Sequence, residues 1–262
     1  MERLCEGILN QKNRMMDQIS SHDKMMNLNC LRVSSFNCRS LKSSVFELAE
    51  LCERSDFVLI QEHWLLPFEI GYLNNVHPRF LSTGKSAVDV TSAVLVGRPY
   101  DGTAILFRKE LCGCVNIIET YDPRITALRF MSSVGPVFIA CVYMPSDMGD
   151  QDSFENYIST CCKINALYEE SDVAHAIVAG DFNCQFGSRF YNTFINCAQD
   201  SNLELSDLKR LLDVFTYCSD DGLRSSWIDH ILCSPLLDSL IDRISILHDY
   251  ISSDHKTYIG YF

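Results

Sequence analysis

No stretch of this 262-residue chain approaches the roughly 18 uninterrupted apolar residues that a membrane helix needs, which predicts a soluble protein. No CxxC pair occurs, and neither Cys112-Gly-Cys114 nor Cys161-Cys162 has zinc-finger spacing, so zinc is not implied. No Asn-x-Ser/Thr acceptor is present, the polar N-terminus lacks the apolar run of a secretory leader, and no basic cluster of nuclear-localisation type appears. Internal repeats, low-complexity tracts and Pro/Ser-rich linkers are also missing. With only 12 Gly and 7 Pro, collagenous and disordered chains are excluded.

What is present is ordinary globular material: 47% hydrophobic and 21% charged residues, on a chain long enough to bury a sizeable core. Thirteen cysteines without a leader predict a reducing, intracellular compartment in which thiols act as small hydrophobes. The net charge of −12 is unevenly spread: −2 over residues 1–78, +2 over 79–129 and −12 over 130–262. A surface for an anionic polymer would therefore draw on Lys85, Arg98, Arg108, Lys109 and Arg124 of the middle segment.

Hydrophobic periodicity organises the chain from residue 30 onward, leaving residues 1–29 as an appendage, helical or loose. Leu31–Phe36 reads as a strand, Leu41–Glu53 as a helix and Asp56–Glu62 as a second strand. Residues 63–101, punctuated by Pro and Gly, read as a long decorated loop with minor strands. Regularity returns with a strand-like run at Thr103–Phe107, and further runs follow at Val115–Glu119, Ile125–Met131 and Val137–Tyr143, their spacing suggesting an antiparallel meander. A helix is expected over Phe154–Leu167, a strand over Ala174–Ala179, a helix over Leu203–Leu212, and strands over Trp227–Leu232 and Tyr258–Phe262. Segments 184–206 and 217–226 are expected to be loops. One domain over residues 30–262 fits best: an α/β arrangement of two packed sheets covered by helices, with loops meeting at one end.

Polar residues recur where hydrophobic runs stop. Asn37 and Glu62 close the first two strands, Tyr143 follows Val137–Val142, Asp181 and Asn183 follow Ala174–Ala179, Asp229 follows Trp227-Ile228, and Asp254-His255 precede the last strand. Each alone is a common turn residue. Together, at the ends of rigid strands, they describe a site. Asn37, Glu62 and Asp254 offer one amide and two carboxylate oxygens, the hard-ligand chemistry that suits Mg2+. His255 is a candidate acid/base or phosphate contact, Asp229 a carboxylate to fix its tautomer, and Asp181 a group that could orient water.

In order, Ser35-Phe-Asn37, Gln61-Glu62-His-Trp64, Gly180-Asp-Phe-Asn183, Trp227-Ile-Asp229-His-Ile231 and Ser253-Asp-His255 resemble the endonuclease/exonuclease/phosphatase superfamily of apurinic endonucleases and DNase I-like enzymes. Within it, Asn37-Cys-Arg-Ser-Leu41, Glu62-His-Trp-Leu65, the run Gly97–Leu106 and Ser226–Leu232 look most like the endonuclease domain of non-LTR (LINE-type) retrotransposons. Inositol-phosphate 5-phosphatases tend instead to carry a Pro-x-Trp-Cys-Asp-Arg block where this chain has Ser225–His230. The sequence departs from its relatives at Asp101, where they tend to repeat glycine, and at Lys256-Thr257, where x-Pro is frequent.

The resemblance implies a four-layer α/β/β/α sandwich and an Mg2+-dependent phosphodiesterase that nicks DNA, with Mn2+ as a substitute ion. It makes Glu62 the main metal ligand with Asn37 and Asp254 completing or supporting the site. Tyr143 and Asn183 would hold the scissile phosphate, Asp181 would align or deprotonate water, His255 would stabilise charge at phosphorus and Asp229 would hold His255. Thr216, 13 residues before Asp229, and Arg124 are candidate phosphate-side residues. Double-stranded DNA is the expected partner, a monomer the expected state, and the nucleus the site of action on chromosomal DNA. Relatives are joined to a reverse transcriptase, for which this chain leaves no room; a free-standing module or a gene fragment is expected. Two other functions are compatible with the pattern: a small-substrate phosphoesterase of the same fold, of inositol-phosphate or sphingomyelin type, and a catalytically silent binding module.

Overall fold

A computed structural model describes residues 31–89, 97–212, 214–248, 250 and 252–262. The appendage expected over residues 1–29 and the apolar piece Ala93–Val96 lie outside the described residues. Strands β1 (Arg32–Asn37), β2 (Phe57–Gln61), β3 (Phe80–Lys85), β4 (Thr103–Arg108), β13 (Arg243–Leu247) and β14 (Thr257–Tyr261) form one sheet, in the order β13-β14-β1-β2-β4-β3. The second sheet has the order β5-β6-β7-β8-β12-β9. Its strands are β5 (Val115–Ile118), β6 (Ile125–Ser132), β7 (Gly135–Tyr143), β8 (His175–Asp181), β9 (Glu204–Leu205) and β12 (Asp229–Cys233). Both sheets are mixed: β1 runs parallel to β2, and β7 parallel to β8, among otherwise antiparallel neighbours. A two-stranded ribbon of β10 (Tyr217–Cys218) and β11 (Ser225–Ser226) forms its own small sheet, bridged to His255 through Tyr217.

Side chains alternate faces along each strand, so one strand feeds two cores. Phe57 and Leu59 of β2, and Val137, Ile139 and Cys141 of β7, fill the layer between the sheets, where Phe57 and Phe130 meet edge to face at 5.1 Å. Their neighbours Val58 and Ile60 face outward against Leu48, Leu51 and Cys52 of α1 (Val45–Arg54). Phe138, Ala140 and Val142 face the other way, against α2 (Gln151–Glu170) and α3 (Arg189–Asp200). Each fully buried Leu, Val or Phe contributes about 1.5–3 kcal/mol relative to exposure. The result is the expected four-layer α/β/β/α sandwich of DNase I type. Most of the described cysteines are buried free thiols within these layers, and no described helix is long and apolar enough to cross a membrane.

The expectation fails in three places, besides segment 217–226, which was expected to be a loop and carries the β10–β11 ribbon. Segment 184–206, expected to be a loop, contains α3. Ser188 caps it by accepting from the Tyr191 amide at 3.1 Å, and Phe190, Phe194 and Ala198 are buried at i, i+4 and i+8. Tyr191, Ile195 and Cys197 widen the same face, so the helical period was present in the sequence and was passed over. Over Leu203–Leu212 the chain instead makes β9 and then the short α4 (Ser206–Arg210), ending where Leu211 turns extended. The third is β13, which follows the short α5 (Pro235–Leu240) and pairs with β14.

Candidate active site

Parallel pairing brings strand ends level. In the first sheet Asn37 stands opposite Gln61, so Asn37 and the next residue, Glu62, leave the same edge together. In the second sheet Tyr143 stands opposite Asp181, and Asp181 opposite Asp229. The join between β7 and β8 is close: a Cβ on Gly180, whose φ is +153°, would lie 1.9 Å from the Val142 carbonyl oxygen. Only glycine fits there. Glu62 (φ +54°) and Asn183 (φ +48°) then take left-handed backbone and re-aim the chain just past their strands.

These ends converge on a cleft of about 380 Å³ whose walls include Arg39, Glu62, Asp181, Asn183, Asp254 and His255. The buried Asn37 amide links three of these walls from behind. Its Nδ2 donates to Glu62 Oε1 at 2.8 Å and Asp181 Oδ2 at 3.0 Å, and lies 3.4 Å from His255 Nε2. On the other side of the imidazole, Nδ1 faces both oxygens of Asp229, at 2.9 and 3.2 Å. A carboxylate only accepts there, so Nδ1 carries the proton. Thr216 Oγ1 accepts from the Ile228 and Asp229 amides, both at 3.1 Å, and so fixes the strand end that carries Asp229. Tyr258 adds its hydroxyl to the Asp229 carbonyl at 3.0 Å.

Electrostatics divide the labour. Burial first, and then the charge of Asp229, raise Asp181 from the usual carboxylate range to about 7, against the opposing pull of His255. Burial alone would lower His255, but Asp229 and Asp181 outweigh it and raise the imidazole to about 10, so it is cationic at neutral pH. One group is thus poised to take a proton and the other to face developing negative charge. Burial also pushes the Tyr143 phenol well above its ordinary range, which keeps it a donor.

The remaining expected residues are spread around this centre. Asn183 donates its backbone N–H to Asp181 Oδ1 at 2.9 Å and its amide to the Met144 carbonyl at 2.8 Å. Arg124 lies over the Tyr143 ring, 5.4 Å from its centroid, and pairs with Asp101 at 3.2 Å. Asp254 Oδ2 sits 2.8 Å from Arg39 Nη1. Of the five middle-segment cations, Lys85 pairs with Glu119, Arg108 with Asp56 and Arg124 with Asp101, while Arg98 lies over the Trp64 ring at 4.3 Å.

Several participants were passed over. Trp64 donates Nε1 to Glu62 Oε2 at 3.0 Å, so both Glu62 oxygens accept from neutral donors. His63 holds the turn in place: Nε2 donates to the Lys85 carbonyl at 2.9 Å and Nδ1 accepts from the Leu65 amide at 3.0 Å, and burial lowers its pKa to about 4. Both residues stand inside the block Gln61–Trp64, whose density of polar and aromatic side chains was the available signal. Asp207 and His230 form a second buried pair at 2.8 Å that nothing in the spacing marked.

A divalent cation fits this donor set. Asp181, Asp229 and His255 bring potential ligand atoms within 4.8 Å of one another, but Nδ1 of His255 is spent on Asp229. Glu62, with hard oxygens and only neutral partners, matches Mg2+ chemistry better.

A model of the Endonuclease/Exonuclease/phosphatase family matches residues 34–255, most of the chain. No curated protein matches. Among solved structures, the AP endonuclease LMAP from Leishmania major superposes with TM-score 0.75 at 14% identity, covering 89% of this chain and 88% of that one. The 3' phosphatase NExo from Neisseria, solved with a product DNA hairpin, gives TM-score 0.68 at 17% identity over 88% of this chain and 99% of its own. The endonuclease domain of TRAS1, a telomere-specific non-LTR retrotransposon, gives 0.65 at 16% over 88% and 98%. At such identities these likenesses establish the fold.

Proposed function

The chain belongs to the endonuclease/exonuclease/phosphatase family, and from that premise we propose that it is an Mg2+-dependent endonuclease of retrotransposon type that nicks double-stranded DNA. The observation that carries this reading is the chain of contacts Glu62–Asn37–Asp181 and Asp229–His255 in one cleft, an arrangement with a carboxylate poised near neutrality beside a buried imidazolium. Bound at Glu62, Mg2+ would act as a Lewis acid on the phosphodiester and as a clamp on its charge.

The protein's own groups do the rest. Asn37 and Trp64 fix both Glu62 oxygens. Asp181 receives the proton of the attacking water as the water oxygen bonds to phosphorus; the P–O bond opposite it breaks, and the leaving oxygen departs with the electron pair and takes a proton from solvent. His255, locked by Asp229 through Nδ1, turns Nε2–H toward the charge that builds on the phosphoryl oxygens. Tyr143 and Asn183 line the approach and orient the phosphate. Arg124 and Thr216 act one step back, the first through Tyr143 and the second through Asp229.

A small-substrate phosphoesterase is favoured by one observation, the neutralisation of Lys85, Arg108 and Arg124 by carboxylates. One assay separates the two. Supercoiled plasmid should be nicked in Mg2+, spared with chelator and spared by Glu62→Gln. Intact plasmid alongside hydrolysis of an inositol phosphate or sphingomyelin would overturn the DNA reading.

A further inference from the structure

Arg39 is the only Lys or Arg among the described residues of the cleft wall, where it faces the carboxylates of Glu62, Asp147, Asp181 and Asp254. It is aimed there by its backbone. Arg39 and Ser40 take φ +44° and +114°, and the Arg39 and Ser40 amides are held by Asn37 Oδ1 at 3.3 Å and the Glu62 carbonyl at 2.8 Å. Nη1 reaches Asp254 Oδ2 at 2.8 Å and Asp220 Oδ1 at 3.1 Å. Asp220 is exposed, on the ribbon turn between β10 and β11, so that half of the pairing is readily exchanged. Asp254 is mostly buried, so the other half is not. A guanidinium has five N–H donors, and no described acceptor engages any beyond those on Nη1.

Two carboxylates of the cleft therefore differ in kind. Glu62 is held by neutral donors and is open to a cation; Asp254 already has one. A divalent ion bound at Asp254 would have to share a carboxylate with a guanidinium and bear its repulsion.

We propose that Arg39 is a built-in cation of the active site: anchored on Asp254, it replaces a second divalent ion, and it exchanges Asp220 for a phosphate oxygen of the bound strand. The cleft then takes a single metal ion, at Glu62. This rests on the nuclease reading, but its first test does not.

The first test counts Mn2+ ions bound to the full chain without DNA, by calorimetry and by paramagnetic resonance. One ion is expected in the wild type and in Asp254→Asn, none in Glu62→Gln, and a second, weaker ion in Arg39→Ala that the added Asp254→Asn change removes. Circular dichroism confirms folding of each variant. Two ions in the wild type, no ion at all, or a single ion in Arg39→Ala overturns the proposal.

The second test measures a labelled DNA duplex by anisotropy on the Glu62→Gln background, which cannot turn over. Arg39→Ala should weaken binding about tenfold or more, as loss of a charge-assisted contact does, and flatten the salt dependence by about one counterion. Arg39→Lys should restore the salt slope. Unchanged affinity and slope in Arg39→Ala overturn the phosphate contact. Correct ion counts with a plasmid that is never nicked would defeat the nuclease reading and leave the single-ion assignment standing.

Discussion

Two Asp–His pairs hang from neighbouring residues of one strand. Asp229 of β12 points to the seam between the sheets and holds His255; His230 points the opposite way and is held by Asp207. The pairs are alike in distance, 2.9 and 2.8 Å, and in burial, with both imidazoles raised to about 10 by their carboxylates against the pull of desolvation. What separates them is the far nitrogen. His255 Nε2 faces Asn37 and Asp181 at the cleft. His230 Nε2 has no described partner and is walled in by Phe194 and Trp227, stacked at 5.0 and 6.2 Å, with Phe182 at 5.9 Å. Asp207 spends its oxygens on Trp227 Nε1 and the Ile231 amide as well. A charged imidazole becomes a reagent only where its second nitrogen meets a substrate; elsewhere the same pair is a fastener.

If that contrast holds, His255→Ala gives the largest effect on chemistry: kcat for plasmid nicking falls by about 10³-fold or more in single-turnover assays, alongside a loss of stability, since it leaves the buried Asp229 carboxylate unpaired. Activity within a few-fold of wild type would erase the distinction. His230→Ala should cost stability without touching chemistry: about 3–5 kcal/mol in urea unfolding because it leaves a buried carboxylate unpaired, while kcat per folded molecule stays near wild type. A third test addresses both pairs at once. Each histidine has a folded pKa above its unfolded value of about 6.5, so its contribution to stability is complete below that value and fades as pH rises toward about 10. Urea midpoints measured across that window should fall, and fall less steeply in His230→Ala. A flat profile would mean that neither pair is charged. Smallest is Thr216→Val, which removes the acceptor of two backbone amides and should cost about 1–3 kcal/mol, with a modest loss of kcat as Asp229 loosens.

The contact between Asp229 and His255 was legible in the sequence and that between Asp207 and His230 was not, for a physical reason. Asp229 and His255 stand where apolar runs stop, and a polar residue at a strand end advertises itself. His230 shares that break in the apolar run, but its partner Asp207 sits in a short helical turn, where it looks like an isolated charge until the fold brings the two together. The same logic covers the elements. Strands β1, β2, β4 and β7 carry dense apolar runs and were placed within a residue or two. The α3 helix was not, although its apolar residues recur in pairs at helical spacing, because the preceding Gly180–Asn183 block and the Ser, Gly and Asn around it read as loop. Nor could spacing reveal that Arg108 closes on Asp56 or that Arg39 closes on Asp254, because ion pairs between distant positions leave no local trace.

The cleft draws Asn37 and Glu62 from one sheet and Asp181 and Asp229 from the other, so its geometry depends on how the two slabs lie across each other. A slip of about 1 Å along that contact would part Asn37 from Asp181 while every backbone ladder stayed intact, and misplacement on this scale is enough to cost about a hundredfold in rate. The molecule can therefore be silenced without being unfolded. A substitution between the sheets, at Phe57 or Phe130 for instance, would lower the melting point and, through such a slip, turnover in the molecules that stay folded.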